Sequence, residues 1–216
     1  MLRIERFKFN MFSVNTYIVW DENTLESVII DPGFISESDA QRVDSFIHDK
    51  QLKVKHLINT HLHFDHLFGN NHIENRYGVK AKAHPADLPW IKNIGKRIAM
   101  FGLSFSKGVN PILPENYLDE SCTIDVGEYR FEIIHIPGHS PGSLVYYCSQ
   151  ADMLITGDVL FCGSLGRTDF ADSNQESLIM GIVDRLFVLP PQTVVYPGHG
   201  NFTTIKAEKE KWHIEE

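Results

Sequence analysis

Short apolar segments rich in β-branched and aromatic residues alternate along this chain with stretches of helical periodicity, and several of the segments stop at a polar group beside Gly or Pro. That order predicts an α/β or α+β sandwich, in which sheets bury one face and helices cover the other. With 216 residues, 43% of them hydrophobic and 22% charged, the chain has enough apolar material for one compact domain spanning 1–216.

Residues 3–9 (RIERFKF) and 16–20 (TYIVW) carry the alternation and aromatic content of strands. Residues 27–30 (SVII) form a short apolar run stopped by Asp31-Pro32-Gly33, a strand followed by a turn. Between 37 and 50, Val43, Phe46 and Ile47 share one helical face, and Ser36 or Ser38 is suited to cap it. A strand is expected at 54–59, a helix from Leu67 to Tyr77 ending at Gly78, and a short strand at 79–83. Strand patterns return at FEIIHI, SLVYYC, DMLIT and TVVYP. A helix fits 175–186, with Leu178, Ile179, Ile182, Val183 and Leu186 on one side.

Charge narrows the function classes. Twenty-eight acidic residues oppose 20 basic ones, for a net charge of −8 and no basic block. Nucleic acid and anionic membranes are therefore not the expected partners. The first twelve residues have no unbroken apolar core, so no signal peptide is expected. Cys122, Cys148 and Cys162 are odd in number and widely spaced, which argues against a disulfide framework and for a cytoplasmic location. Oligomeric state leaves no trace in the sequence.

The chemistry concentrates at strand ends. Residues 133–140 (IIHIPGHS) and 193–200 (TVVYPGHG) are each an apolar strand ending in Pro-Gly-His, while LINTH ends at His61 and LITGD at Asp158. Several strands thus converge on one edge. Residues 60–66 read Thr60-His61-Leu62-His63-Phe64-Asp65-His66. In an extended segment His61 and His63 project to one side, and Asp65 and His66 follow where the chain turns toward the next helix. A helix cap needs one side chain, not four. The layout suits two metal ions close together, since imidazole and carboxylate are usual zinc ligands that also accept iron or manganese. His139, His199 and Asp158 are the further candidates. His48, His56, His72 and His213 read as surface or core-edge residues, His84 as a loop residue and His135 as a packed one.

These motifs, with GSLGRTDF at 163–170 and PGHGNFTTIKAEK near the end, resemble the metallo-β-lactamase superfamily, and within it the short glyoxalase II-like hydrolases. The resemblance covers about residues 15–204. It implies a four-layer αβ/βα sandwich, with two mixed central sheets, helices outside and a metal site at one sheet edge. It further implies that His61, His63 and His139 hold one metal, that Asp65, His66 and His199 hold the other, that Asp158 bridges them, and that Asp65 and Asp158 are the catalytic carboxylates. The implied reaction is hydrolysis of an anionic small-molecule thioester of the acylglutathione type. Arg167 corresponds to a basic position that contacts the substrate carboxylate, but Asp169 stands where the longer glyoxalase II enzymes have Tyr. The alternatives are a mononuclear iron persulfide dioxygenase using a subset such as His61, His139 and Asp158, and another hydrolase of the fold such as a lactonase.

Substrate selection is expected outside the metal ligands. Residues 88–114 contain Lys92, Lys96, Arg97 and Lys107 but no acid, together with Trp90, Met100, Phe101 and Phe105. They read either as a cationic cover over the cleft or as an amphipathic helix with its apolar side in the core. Cys162, four residues beyond Asp158, reads as a buried spectator thiol.

Overall fold

The structure is a computed structural model that describes residues 1–92, 94–100 and 116–213. Two mixed six-stranded sheets face each other. The first contains β1 (Leu2–Phe9), β2 (Val14–Asp21), β3 (Glu26–Ile30), β4 (Lys53–Ile58), β5 (Ala81–Ala83) and β6 (Asn116–Tyr117), in that spatial order. β1–β3 run antiparallel, and β3–β6 run parallel. The second sheet contains β7 (Thr123–Val126), β8 (Tyr129–His135), β9 (Leu144–Cys148), β10 (Met153–Gly157), β13 (Val194–Pro197) and β14 (Thr203–Thr204), in the order 14-13-10-9-8-7. A small hairpin of β11 (Leu160–Phe161) and β12 (Ser164–Leu165) stands apart.

Alternation along each strand sorts side chains into two faces. Val19, Val28, Ile30 and Ile58 of the first sheet point inward and meet Phe131, Ile133, Tyr146 and Ile155 of the second. Ile18, Ile29, Leu57 and Ala81 point outward, against Val43 and Ile47 of α1 (Glu37–Asp49) and Ile73 of α2 (Asn70–Tyr77). On the far side, Val145, Leu154 and Val195 meet Leu178 of α5 (Gln175–Gly181) and Ile205 of α6 (Ile205–Lys211). The result is the expected four-layer sandwich. Among the described residues, no helix is long and apolar enough to cross a membrane.

Boundaries differ from expectation in instructive ways. Ser36 caps α1, its hydroxyl accepting from the Asp39 amide at 3.1 Å. The second helix begins at Asn70 instead of Leu67. Phe64–His66 form a single tight turn, and the Gly69 amide is drawn to the Pro32 carbonyl at 2.7 Å. Gly69 packs so closely on the Phe34 ring that a Cβ there would lie 2.6 Å from it. The strand expected at 79–83 pairs only from Ala81, opposite Leu57. The helix at 175–186 changes pitch after Gly181, and the Phe187 amide reaches back five residues to the Ile182 carbonyl at 3.0 Å. The C-terminal helix α6 was not foreseen.

The segment from residue 88 begins with two short helices. Leu88–Lys92 (α3) and Ile94–Met100 (α4) are short helices that bury Trp90, Ile91 and Ile98 and expose Lys92 and Lys96. That is the amphipathic pattern. Phe101, Phe105 and Lys107 lie outside the described residues, as do the side chains of Arg97 and Met100.

Polar stitches clamp the two sheets together at one edge. The Tyr17 hydroxyl donates to the Pro197 carbonyl at 2.7 Å, and the Tyr146 hydroxyl donates to the Asn59 carbonyl at 2.8 Å. The Leu144 amide donates to the Thr60 carbonyl at 2.7 Å, and the Asn15 amide to the Gly198 carbonyl at 2.7 Å. All four lie where the strands end in polar groups.

Candidate metal centre

The seven side chains named from sequence come together at this edge. His61 and His63 leave the end of β4, Asp65 and His66 sit on the tight turn behind it, His139 follows β8, Asp158 follows β10, and His199 follows β13. Donor atoms of His61, His63 and His139 lie within 4.8 Å of one another, as do those of Asp65, His66 and His199. Asp158 stands between the two groups. Its Oδ2 is 3.6 Å from His139 Nε2 and 3.4 Å from His199 Nε2, and its Oδ1 is 3.4 Å from His66 Nε2.

Hydrogen bonds behind the rings decide which nitrogen each imidazole presents. His139 donates from Nδ1 to the Arg167 carbonyl at 2.8 Å, and His199 from Nδ1 to the Phe12 carbonyl at 2.9 Å. His66 donates from Nδ1 to Asp31 Oδ2 at 3.0 Å. The Thr60 hydroxyl, which donates to Asp31 at 2.6 Å, accepts from His61 Nδ1 at 3.1 Å. Four rings therefore turn Nε2 inward. His63 differs, with Nδ1 facing His139 Nε2 at 2.9 Å.

This donor set fits divalent cations. Two nitrogens bound tetrahedrally at zinc distances sit roughly 3.3 Å apart, close to the spacings observed here. His61 Nε2 and Asp158 Oδ1 are buried and have no hydrogen-bond partner, a costly condition unless something else satisfies them. Gly198 makes the close approach possible, because a Cβ there would collide with the Asp158 carboxylate.

Titration differs between the two halves. Burial, reinforced by the neighbouring imidazoles, holds His61 and His63 well below the ordinary histidine range. Burial acts the same way on His66, but the carboxylates of Asp158, Asp65 and Asp31 outweigh it and push that imidazole up to about 10. His199 is raised too, burial being outweighed by Asp158. Burial raises the Asp65 carboxyl. It also opposes the charge on Asp158, yet His66, His199 and His139 hold that carboxyl far below the usual range.

The centre opens into a cleft of about 240 Å³ walled by Phe12, Phe64, Trp90, Phe161 and Phe170, with Arg167 among its lining residues. Trp90 packs 4.1 Å from the His63 ring. The Arg167 guanidinium is bound by Asp169, Nε to Oδ1 at 2.9 Å and Nη2 to Oδ2 at 2.8 Å. Cys162 is exposed, contrary to the buried thiol expected, and its Sγ lies 3.6 Å from Lys211 Nζ. His135 stacks on His84 at 4.1 Å and bonds through Nε2 to the Pro141 carbonyl at 2.8 Å, outside the donor cluster.

Two carboxylates in the supporting structure were not singled out in the sequence. Asp31, read as a turn residue, accepts the Thr60 amide at 2.8 Å as well as the Thr60 hydroxyl and His66. Its signal was present, since it too ends a strand at the converging edge. Asp87 is fully buried and accepts the Leu62 amide at 3.0 Å, the Ser140 hydroxyl at 2.9 Å and the Gly142 amide at 2.6 Å. It ties the His61–His63 segment to the His139 loop, and nothing local in HPADLP announces that role.

Fold and donor geometry together define a metallohydrolase-type α/β sandwich with its centre at the shared sheet edge. The chain belongs to the metallo-beta-lactamase superfamily, whose sequence pattern matches residues 10–199. Among its relatives are the hydroxyacylglutathione hydrolase GloC of Haemophilus influenzae, 31% identical over 96% of this chain and 95% of that one, and the probable metallo-hydrolase YqgX of Bacillus subtilis, 29% identical over 97% and 96%. Of solved structures, TTHA1623 in a di-iron-bound form superposes with a TM-score of 0.82 at 30% identity, covering 96% of this chain and 98% of that one. ETHE1 from Myxococcus xanthus does so with a TM-score of 0.76 at 25% identity, covering 97% and 82%.

Proposed function

We propose that this chain is a hydrolase that takes two divalent cations and cleaves acylglutathione-type thioesters. The observation that carries the reading is the pair of donor triads joined through Asp158 at the floor of the aromatic cleft. In this reading His61, His63 and His139 hold one cation, Asp65, His66 and His199 the other, and Asp158 both. Zinc suits these donors, and iron or manganese suits them as well; the di-iron form of TTHA1623 is in keeping with that latitude. Bound cations would supply an ionised water at neutral pH and polarise the scissile carbonyl.

The protein's own groups do the rest. Carbonyl, carboxylate and hydroxyl partners hold the orientations of His61, His66, His139 and His199, so these rings are positioned before substrate arrives. Phe12, Phe64, Trp90, Phe161 and Phe170 exclude bulk water and offer apolar contact to an acyl group. Arg167 is placed to meet an anionic end of the substrate by a bidentate contact. A thiolate leaves without protonation, which suits a cleft whose titratable lining groups are otherwise the donors themselves. The GloC relative supports the choice of thioester. A cytoplasmic setting, where glutathione conjugates and free thiols persist, is part of the same proposal.

A mononuclear iron persulfide dioxygenase would use a subset such as His61, His139 and Asp158 and leave His63, Asp65, His66 and His199 without a task. Hydrolysis of S-lactoylglutathione by metal-replete protein, run beside oxygen uptake with glutathione persulfide, separates the two. Thioester turnover with a kcat/KM of about 10⁴ M⁻¹s⁻¹ or more, lost on chelation, is the expected result. Oxygen uptake without thioester turnover would overturn it.

A further inference from the structure

We propose that Asp169 is a specificity-determining residue, an internal competitor that occupies Arg167 in place of a substrate carboxylate. The inference takes its substrates from the thioester reading above, while its binding argument stands on geometry. The carboxylate grips the guanidinium through two parallel contacts of 2.9 and 2.8 Å, the fork arrangement in which an arginine recognises a carboxylate. An anionic ligand that seeks the Nε and Nη2 edge of Arg167 must therefore displace Asp169.

The pair is held where it can matter. The Arg167 carbonyl accepts from His139, so the backbone bearing the guanidinium is fixed to the donor cluster. The guanidinium also lies over the Phe170 ring, 5.0 Å from its centroid, against the aromatic wall of the cleft. Among the described residues lining the cleft, Arg167 is the one Lys or Arg side chain. With Asp169 engaged, that cation is neutralised locally.

The competition is soft. Both side chains are more than 60% exposed, so the pair is screened and worth little. A carboxylate-bearing ligand can exchange with Asp169, at the expense of affinity. The effect falls on binding of carboxylate-bearing thioesters in preference to uncharged ones. Asp169 thus sets how strongly the cleft favours anionic substrates.

The test compares wild type, Asp169→Asn, Arg167→Gln and the double variant, all metal-loaded. Each is assayed on S-lactoylglutathione and on the uncharged S-phenyl thioacetate, and each is titrated calorimetrically with S-hexylglutathione. Asp169→Asn is expected to raise the preference for the anionic thioester about three- to fivefold, through KM, and to tighten S-hexylglutathione by the same factor. Both gains should vanish in the Arg167→Gln background and shrink at high salt. Equal shifts on the two thioesters, gains that persist without Arg167, or no change would each overturn the inference. Should no variant cleave either thioester, the hydrolase reading fails, and the calorimetry still decides the role of Asp169. Absence of S-hexylglutathione binding even to Asp169→Asn counts against it.

Discussion

Asp31 and Asp87 are buried carboxylates that stand behind the donor cluster, and each orients a different part of it. Asp31 sets the tilt of His66 directly and of His61 through Thr60. Asp87 holds the Leu62 amide between His61 and His63, and Ser140 beside His139. On the two-cation reading, Asp87→Ala loosens the three histidines of one cation and strands three buried donors. Metal affinity is expected to fall about 10- to 100-fold and stability by about 3 kcal/mol. Competition with a chromophoric chelator and urea denaturation measure the two effects. Asp158→Ala removes a carboxylate that stands between the two triads. It is expected to lower kcat/KM by about a thousandfold or more and to deplete metal while circular dichroism still reports a folded chain. Full activity with two retained metals would defeat the bridging role. The donors themselves were legible because a local pattern, His61-Leu62-His63-Phe64-Asp65-His66, carries four of them and strand ends carry the rest. Asp87 was not legible, because its task is defined by contacts with residues 62 and 140–142, which only the folded chain brings near it.

At the scale of elements, turns and strand ends carry the consequences. Gly138 precedes His139 with φ of 149°, and a Cβ there would lie 2.7 Å from the Leu178 backbone. Gly138→Ala must displace α5 or the His139 loop, and the expected loss is about 2–4 kcal/mol, read from urea midpoints. Asp21, at the end of β2, accepts the Asn23 amide at 3.1 Å and, across the sandwich, the Glu128 amide at 3.3 Å. Burial raises its carboxyl, but these amides outweigh burial and the pKa is lowered. A lowered carboxyl contributes stability that is present above its unfolded value of about 3.9. That contribution is lost as pH falls through the lower folded value. Asp21→Asn should therefore cost about 1 kcal/mol at neutral pH, with the gap from wild type closing below about pH 4. A gap constant down to pH 2 would contradict this. Strand identities were readable here from alternation and β-branching. Helix starts were less so, since Leu67 fits the period yet Gly69 is held out of the helix by Pro32 and the Phe34 ring. The helix α6 was missed because its surface-facing lysines and glutamates dominate its sequence, while Ile205 and Glu208 are buried only in the folded chain.

Taken as a whole molecule, the sandwich is an edge-defined device. Two sheets fold independently patterned faces into one core, and the strands that end at one edge deliver His61, His139, Asp158 and His199 to a single centre. The price of assembling so many imidazoles and carboxylates in a dry place is electrostatic, visible in histidines driven down on one side and up on the other. Cations that bind only the folded chain should return that cost as stability. The layered class was foreseeable from the alternation of elements, and the two-sheet clamp was not, since Tyr17 and Tyr146 read as ordinary strand aromatics. In the proposed reading, seven side chains form one centre for two cations. Elemental analysis of the reconstituted, desalted protein tests it most directly. Two divalent metal atoms per chain are expected, both lost to a strong chelator with a fall in Tm, whereas one atom per chain, or none, would contradict the two-cation centre.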